Sequence, residues 1–386
     1  MNRLSVFARC GANGLRSPSS AISGDGASAI RNGIQDGVMN DCRNACSAES
    51  ACTERKRLSE RIVWLDTAKG LLITGVVVWH ALCMTPIKTT PIGWRVRGWV
   101  GIILLPFFMH AFFAITGYCS NFRKPLGRFL LDNAKTLLFP SVLCSFILSA
   151  IHGRLDWANA WETIRTLGGR WFLVALFLSK LLIWIVERIP SRYRFPAIVS
   201  MAALGMALGI GCPKTDFPWY QQALALSPFV FAGAFLKKRA VSWTAPLVWF
   251  VVLASVFWVS AVGLYLHQGV RAPWFAYQFL LTWKQIPVSV LLAIGGTTVT
   301  ALAARWLTNT SVGPFFGKLG TASLLVYLVH GEFLRLFFRP MAQAIPTARM
   351  PFFLELVLVL VFLVLASSAL LFHLLNRKYV KWVLGK

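Results

Sequence analysis

The chain has 386 residues, 56% of them hydrophobic and 14% charged, with 39 Lys and Arg against 14 Asp and Glu for a net charge of +25. Its mean hydropathy is +0.62, whereas a soluble chain carries about 25% charged residues, so cytosolic enzymes and secreted disulfide scaffolds are excluded. The Lys and Arg sit in short clusters at the ends of apolar stretches and read as membrane-topology signals, which leaves no expectation of a nucleic-acid partner.

Residues 1–58 are rich in Ser, Ala, Gly, Asn and Arg and contain no long apolar run, so they are expected to form a disordered cytoplasmic extension. The following residues, 59–386, read as one all-α membrane domain: a polytopic bundle of about ten transmembrane helices. The spans fall near 62–84, 98–119, 134–152, 170–187, 195–211, 222–236, 243–266, 281–304, 319–338 and 351–375. Pro228 makes the sixth a candidate for tilting or breaking.

Alternate loops and both ends of the domain carry the heavier positive charge. Arg55, Lys56, Arg57 and Arg61 flank the first span, Arg123, Lys124 and Arg128 the second, and Arg188, Arg192 and Arg194 the fourth. Further clusters at Lys237, Lys238 and Arg239, at Arg305 and Lys318, and at Arg377, Lys378 and Lys381 continue the alternation. Both termini are therefore expected in the cytoplasm. Trp94, Trp99, Trp157, Trp161 and Trp171 lie near span ends, where an aromatic belt belongs. Of the eight cysteines no two form a CxxC pair, so no metal site is expected. No internal repeat is visible, which argues against an inverted-repeat transporter.

The first span holds the chemistry that stands out. It begins Trp64-Leu65-Asp66-Thr67-Ala68-Lys69-Gly70 and reaches His80. Lys69 and His80 are eleven residues apart, which on an α-helix is three turns plus about 20°, so they share a face about 16 Å apart. Asp66, one turn before Lys69, can pair with it. A Lys or Asp at the centre of a span costs at least about 2.5 kcal/mol, so these groups should face a polar cavity or one another. The competing reading makes Asp66 and Lys69 an interfacial ion pair and His80 an ordinary interfacial residue.

Three further segments bear on that choice. Phe108-Met109-His110-Ala111-Phe112-Phe113-Ala114-Ile115-Thr116-Gly117-Tyr118 closes the second span, Gly169-Arg170-Trp171-Phe172-Leu173 opens the fourth, and Ser323-Leu324-Leu325-Val326-Tyr327-Leu328-Val329-His330 lies in the ninth. In this order and spacing the four segments resemble the acyltransferase 3 family of integral-membrane acyltransferases, over about residues 61–378. A Lys eleven residues before the His is similar to the branch of fucose O-acetylases and exopolysaccharide acetyltransferases. The chain departs from the family pattern at His110, where a Pro is usual, and at Thr116, where a Ser is usual.

The resemblance implies transfer of an acyl group, usually acetyl, from cytoplasmic acyl-CoA to a hydroxyl of a cell-surface or lipid-linked glycan. Acetyl-CoA would then be a donor substrate, with no permanently bound cofactor. Partners would be the saccharide acceptor, membrane lipid and proteins of polysaccharide assembly, and the location a bacterial inner membrane. On this reading Lys69, supported by Asp66, meets the polyanionic donor near the cytoplasmic mouth, and His80 is the general base, with an acyl-histidine as a variant. Trp171, Thr116, Tyr327 and His330 are cavity or acceptor candidates, each weighed against a packing role. The alternative from another class is a proton-coupled transporter or flippase of an amphiphilic glycan precursor, which also needs ionisable groups inside spans.

Overall fold

In hydrocarbon every backbone N–H and C=O must find its partner within the chain. The residues that the computed structural model describes, 63–84, 91–153, 156–165, 170–211, 219–238, 247–268, 286–335 and 350–375, meet that demand with helices and no strand. All of them lie in one unit, Ile62–Lys386. The extension 1–58 falls outside the described residues, so its expected disorder does too.

In chain order the helices are α1 (Val63–Met84), α2 (Pro91–Leu104), α3 (Phe108–Cys119), α4 (Leu126–Asn133), α5 (Phe139–Ile151) and the short α6 (Trp157–Arg165). There follow α7 (Trp171–Val186), α8 (Ser191–Gly211), α9 (Trp219–Lys238), α10 (Leu247–Gln268) and α11 (Ile286–Thr308). The last three are α12 (Gly313–Thr321), α13 (Ser323–Phe333) and α14 (Met350–Leu375). Each apolar stretch of the sequence carries one or two of these helices. Three segments, Val63–Cys83, Leu126–Ile151 and Val290–Thr308, are long and apolar enough to cross a membrane. Large apolar side chains such as Phe195, Val259, Leu291 and Leu370 point outward, as a lipid-facing surface requires.

Prolines explain where the helices depart from the simple spans. Pro106 lacks an N–H, and the second stretch breaks there into α2 and α3. Pro140 sits at the start of α5, and the turn before it, Ala134–Leu138, is wound as a π-helix between α4 and α5. Pro228, by contrast, leaves α9 continuous over 20 residues. Its missing N–H would orphan the Leu224 carbonyl, and the Ser227 hydroxyl donates to that oxygen at 2.8 Å. Trp157 and Trp161 are exposed on the short helix α6, which follows the end of α5.

Two helix crossings have no room for side chains. Gly70 of α1 lies against the Phe316 carbonyl of α12, and Gly320 of α12 against the Asp66 carbonyl of α1. Gly117 of α3 and Gly233 of α9 face the Val230 and Ala114 carbonyls in the same reciprocal way. Close approach of small residues replaces the hydrophobic drive that lipid removes.

Three basic clusters of the sequence, those after α3 and α7 and at the end of α9, gather at one end of the bundle. Trp184 Nε1 donates to the Lys124 carbonyl at 2.9 Å, and the Arg188 guanidinium donates to the Phe122 and Lys124 carbonyls at 3.2 and 3.0 Å. Lys237 Nζ reaches the Ser120 carbonyl at 3.2 Å, and Arg194 and Lys238 converge on the Glu187 carboxylate. The loops after α3 and α7 and the last turn of α9 are thus tied into one basic platform.

Gly233→Val drives its side chain into the Ala114 carbonyl, so this variant should lose its monodisperse elution in mild detergent, with overpacking worth about 1–3 kcal/mol or more. Gly263→Ala, which meets nothing within 4 Å, should elute and melt as the wild type does.

Candidate active site

Helix α1 is the axis of the site. Helices α2, α3, α11, α12, α13 and α14 all pack on it, and Leu65, Ala68, Leu72, Ile73, Val76 and Val77 are buried among them. Lys69 Nζ donates to Asp66 Oδ1 at 3.3 Å, as their one-turn spacing predicts. Asp66 is nearly buried while the Lys69 side chain keeps 28% of its surface exposed. Thr67 Oγ1 accepts from Thr308 Oγ1 of α11 at 3.0 Å and itself donates to the Val63 carbonyl. Trp64 and Tyr118 meet edge to face at 6.1 Å beside this layer. Tyr118 closes α3 next to the basic platform, so Lys69 and Asp66 lie toward the basic end. Thr116, two residues before Tyr118, belongs to the same layer, and its carbonyl accepts from Ser120 Oγ at 2.7 Å.

His80 lies three turns further along α1. Its Nδ1 is 2.8 Å from the Val76 carbonyl. A carbonyl only accepts, so Nδ1 carries the proton of the neutral ring and Nε2 keeps its lone pair. His330 of α13 stands edge-on to it, with ring centroids 4.9 Å apart. His330 is held in the same way, its Nδ1 shared between the Tyr327 and Val326 carbonyls at 2.8 and 3.1 Å. Two imidazoles from helices 250 positions apart in sequence are therefore brought together in the same tautomer, each with Nε2 unused by the backbone.

An aromatic wall backs the pair. Tyr327 lies 5.8 Å from His330 and 5.2 Å from Phe172, and Trp171 meets Phe172 at 6.0 Å. Phe172 also packs on Phe112 and Phe113 of α3. Trp171, Tyr327 and His330 thus fall at the histidine end with His80, while Thr116 does not. His110 is fully buried and stacks edge-on against Phe229 at 4.7 Å, away from the histidine pair.

Several further groups lie at the histidine end. Arg170, at the foot of α7, directs a terminal guanidinium nitrogen to Cys144 Sγ of α5 at 3.5 Å. Cys144 Sγ in turn contacts the Leu328 carbonyl of α13. Glu332 faces His152 Nε2, at the end of α5, at 3.6 Å. The available signal was a positive charge starting an apolar helix at the end of the bundle that holds the fewer charges.

Between α1, α3, α9 and α11 lies a separate cavity of about 200 Å³, lined by Trp64, Ala68, Tyr118, Phe229, Gly233 and Thr297 among others. It is apolar and meets α1 at Trp64, Leu65 and Ala68. Among the described residues no cluster of three or more His, Cys, Asp or Glu side chains is placed to hold a metal ion.

A helical bundle whose central helix carries a carboxylate, an ammonium and an imidazole into an apolar interior belongs to the class of integral-membrane proteins with a polar functional core. Residues 62–372 match the acyltransferase domain, and the chain belongs to the acyltransferase 3 family, so it is a membrane acyltransferase. Among relatives, the nodulation protein NolL of Mesorhizobium japonicum is 26% identical over 328 residues, covering 78% of this chain and 83% of its own. No solved structure matches the chain.

The 4.9 Å contact makes the two imidazoles one unit. In an acyl-transfer assay His80→Ala should slow turnover by about 10²–10⁴-fold and His330→Ala by about 10-fold or more, while the double variant is no slower than His80→Ala alone. Additive losses would show two independent side chains.

Proposed function

We propose that this membrane acyltransferase moves an acyl group, acetyl in the simplest case, from cytoplasmic acyl-CoA to a hydroxyl of a cell-surface or lipid-linked glycan, with His80 as general base. The observation that carries the reading is the tautomer of His80: Nδ1 is committed to the Val76 carbonyl, which leaves Nε2 to accept a proton. A sugar hydroxyl is a poor nucleophile, and a positioned imidazole that takes its proton supplies about 10²–10⁴ in rate. Lys69 lies on the same helix face about 16 Å away, by the 1.5 Å rise. At that distance an extended pantetheine arm links a phosphate-binding ammonium to the reacting carbonyl. Asp66 keeps Lys69 in place through its 3.3 Å hydrogen bond. Tyr327, Trp171 and His330 border the position of the acceptor, their rings offering stacking surface to a sugar.

The domain, residues 59–386, is proposed to cross a bacterial inner membrane ten times, with both termini and the Lys69 end in the cytoplasm. The extension 1–58 would then lie on the same side. The basic platform around Lys124, Arg188 and Lys237 supports this orientation, because cytoplasmic loops carry the excess of Lys and Arg.

The acceptor is read from the O-acetyl content of surface and secreted glycans by NMR, in cells lacking the gene and in cells re-expressing wild type, His80→Ala or Lys69→Ala at matched membrane levels. Acetyl signals should vanish on deletion and return only with wild type. Unchanged glycans in the deletion, with the gene expressed in the parent, would overturn the glycan acceptor, and normal acetylation with His80→Ala would overturn the base. A carrier, unlike a transferase, would consume no acyl-CoA.

Orientation has its own readout. Cys119 is exposed at the end of α3, beside the basic platform. In a chain keeping Cys119 as its single cysteine, a membrane-impermeant maleimide should label inverted vesicles and spare intact cells. Labelling of intact cells would reverse the topology.

A further inference from the structure

A partly buried cation in a membrane protein normally has a carboxylate beside it. Arg170 does not follow that rule. Among the described residues it forms no ion pair, its Nε is buried without a hydrogen-bond partner, and the contact of its terminal nitrogen is the weakly accepting Cys144 sulfur at 3.5 Å. The Glu332 carboxylate, near the end of α13, faces His152 instead.

Its position is fixed from two sides. Cys144 bridges Arg170 to the Leu328 carbonyl, two residues before His330. The neighbouring Trp171 and Phe172 lead through Tyr327 to the same histidine. Arg170 and His80 both lie within electrostatic reach of His330.

From this arrangement we infer that Arg170 is a catalytic residue, the donor that receives the oxyanion of the acyl group as it is transferred at the His80–His330 pair. The inference rests on the acyl-transfer reading of the same site. His80 Nε2 takes the proton of the acceptor hydroxyl, and the acceptor oxygen bonds to the thioester carbon. The carbonyl π pair moves onto its oxygen, where Arg170 Nε–H and the guanidinium charge stabilise it. When that pair returns, the carbon–sulfur bond breaks and the leaving thiolate of CoA takes the proton from His80. An ester and free CoA result, and Arg170 is unchanged. The unused Nε–H is thereby explained: its partner exists during the reaction, where a preorganised donor acts most strongly.

The test uses the full chain as wild type, Arg170→Gln and Arg170→Lys in membranes of the deletion strain, which hold the native acceptor, with radiolabelled acetyl-CoA as the probe. Acetyl incorporation is followed against donor concentration. Slow hydrolysis of acetyl-CoA, with water as acceptor, is measured on the detergent-purified proteins. Arg170→Gln should lower kcat by about 10²–10³ in both reactions, with KM for acetyl-CoA within about twofold of wild type. Arg170→Lys should retain more activity than Arg170→Gln, since it keeps the charge and loses the fork. If Arg170→Gln does not elute as wild type does, Arg170→Lys decides alone, a kcat between about 3-fold and 10²-fold below wild type supporting the assignment and a wild-type kcat overturning it.

A raised KM at unchanged kcat would place Arg170 on the phosphates of the donor and overturn the inference. Loss of transfer with hydrolysis intact would place it on the acceptor and overturn it equally. A wild type that incorporates no more acetyl than His80→Ala would remove the acyl-transfer reading itself, a failure distinct from either.

Discussion

The fold depends on keeping three ionisable side chains of α1 out of lipid. A Lys or Asp facing hydrocarbon costs at least about 2.5 kcal/mol, and α1 carries one of each besides His80. Part of that cost is met within the helix itself, through the Lys69–Asp66 hydrogen bond and the return of His80 Nδ1 to Val76. The rest is met by enclosure. Six helices pack on α1, and α12 comes close enough for its Gly320 to lie on the Asp66 carbonyl while Gly70 accepts the Phe316 carbonyl in return. The helices α8, α10 and α14 present ordinary apolar side chains outward, among them Phe195, Val259 and Leu370.

Polar side chains elsewhere in the bundle show what a purely structural role looks like. Thr74, Thr300 and Ser368 each donate to the carbonyl four residues earlier, at 2.9, 2.7 and 2.7 Å. Ser179 donates to the Ala223 carbonyl across the α7–α9 contact, and Ser227 covers the carbonyl freed by Pro228. These groups spend their hydrogen-bonding capacity on the backbone and leave no chemistry to spare. His80 and His330 spend one ring nitrogen in the same way and keep the other. A one-nitrogen anchor is what orients an imidazole and fixes its tautomer, so the backbone contact that would make a serine silent leaves a histidine available.

The sequence made the helical class, the helix positions and the shared face of Asp66, Lys69 and His80 legible, because apolar run length and the 3.6-residue period act locally. The pairing of Lys69 with Asp66 was legible for the same reason. The neighbourhood of His330 was not: Tyr327 and His330 are close along α13, but nothing local says that α13 crosses α1 at His80. Arg170 shows the limit differently. It stood in a quoted segment beside Trp171, yet its meaning comes from which residues fail to pair with it, and a missing partner is visible only once the neighbours are in place. Helix breaks were partly legible. Pro106 and Pro228 look alike in sequence, yet α2 ends before the first while α9 runs through the second, where the Ser227 hydroxyl covers the freed carbonyl.

Placing Lys69 and His80 on one helix has a further consequence for the proposed reaction. Their separation is held by the continuous backbone ladder of α1, whose hydrogen bonds are shielded from water, and not by loops or by the meeting of two domains. The distance between the donor's phosphates and the proton acceptor therefore does not change as the acceptor arrives. What can adjust is the other wall, since His330, Tyr327 and Arg170 come from α13 and α7, which are tied together through Cys144 of α5 and the Phe172 ring. A rigid rule on one side and a jointed wall on the other suits a transfer in which one substrate is invariant and the other is a glycan of variable shape: the CoA arm needs a fixed length, and the saccharide needs a surface that can close around it.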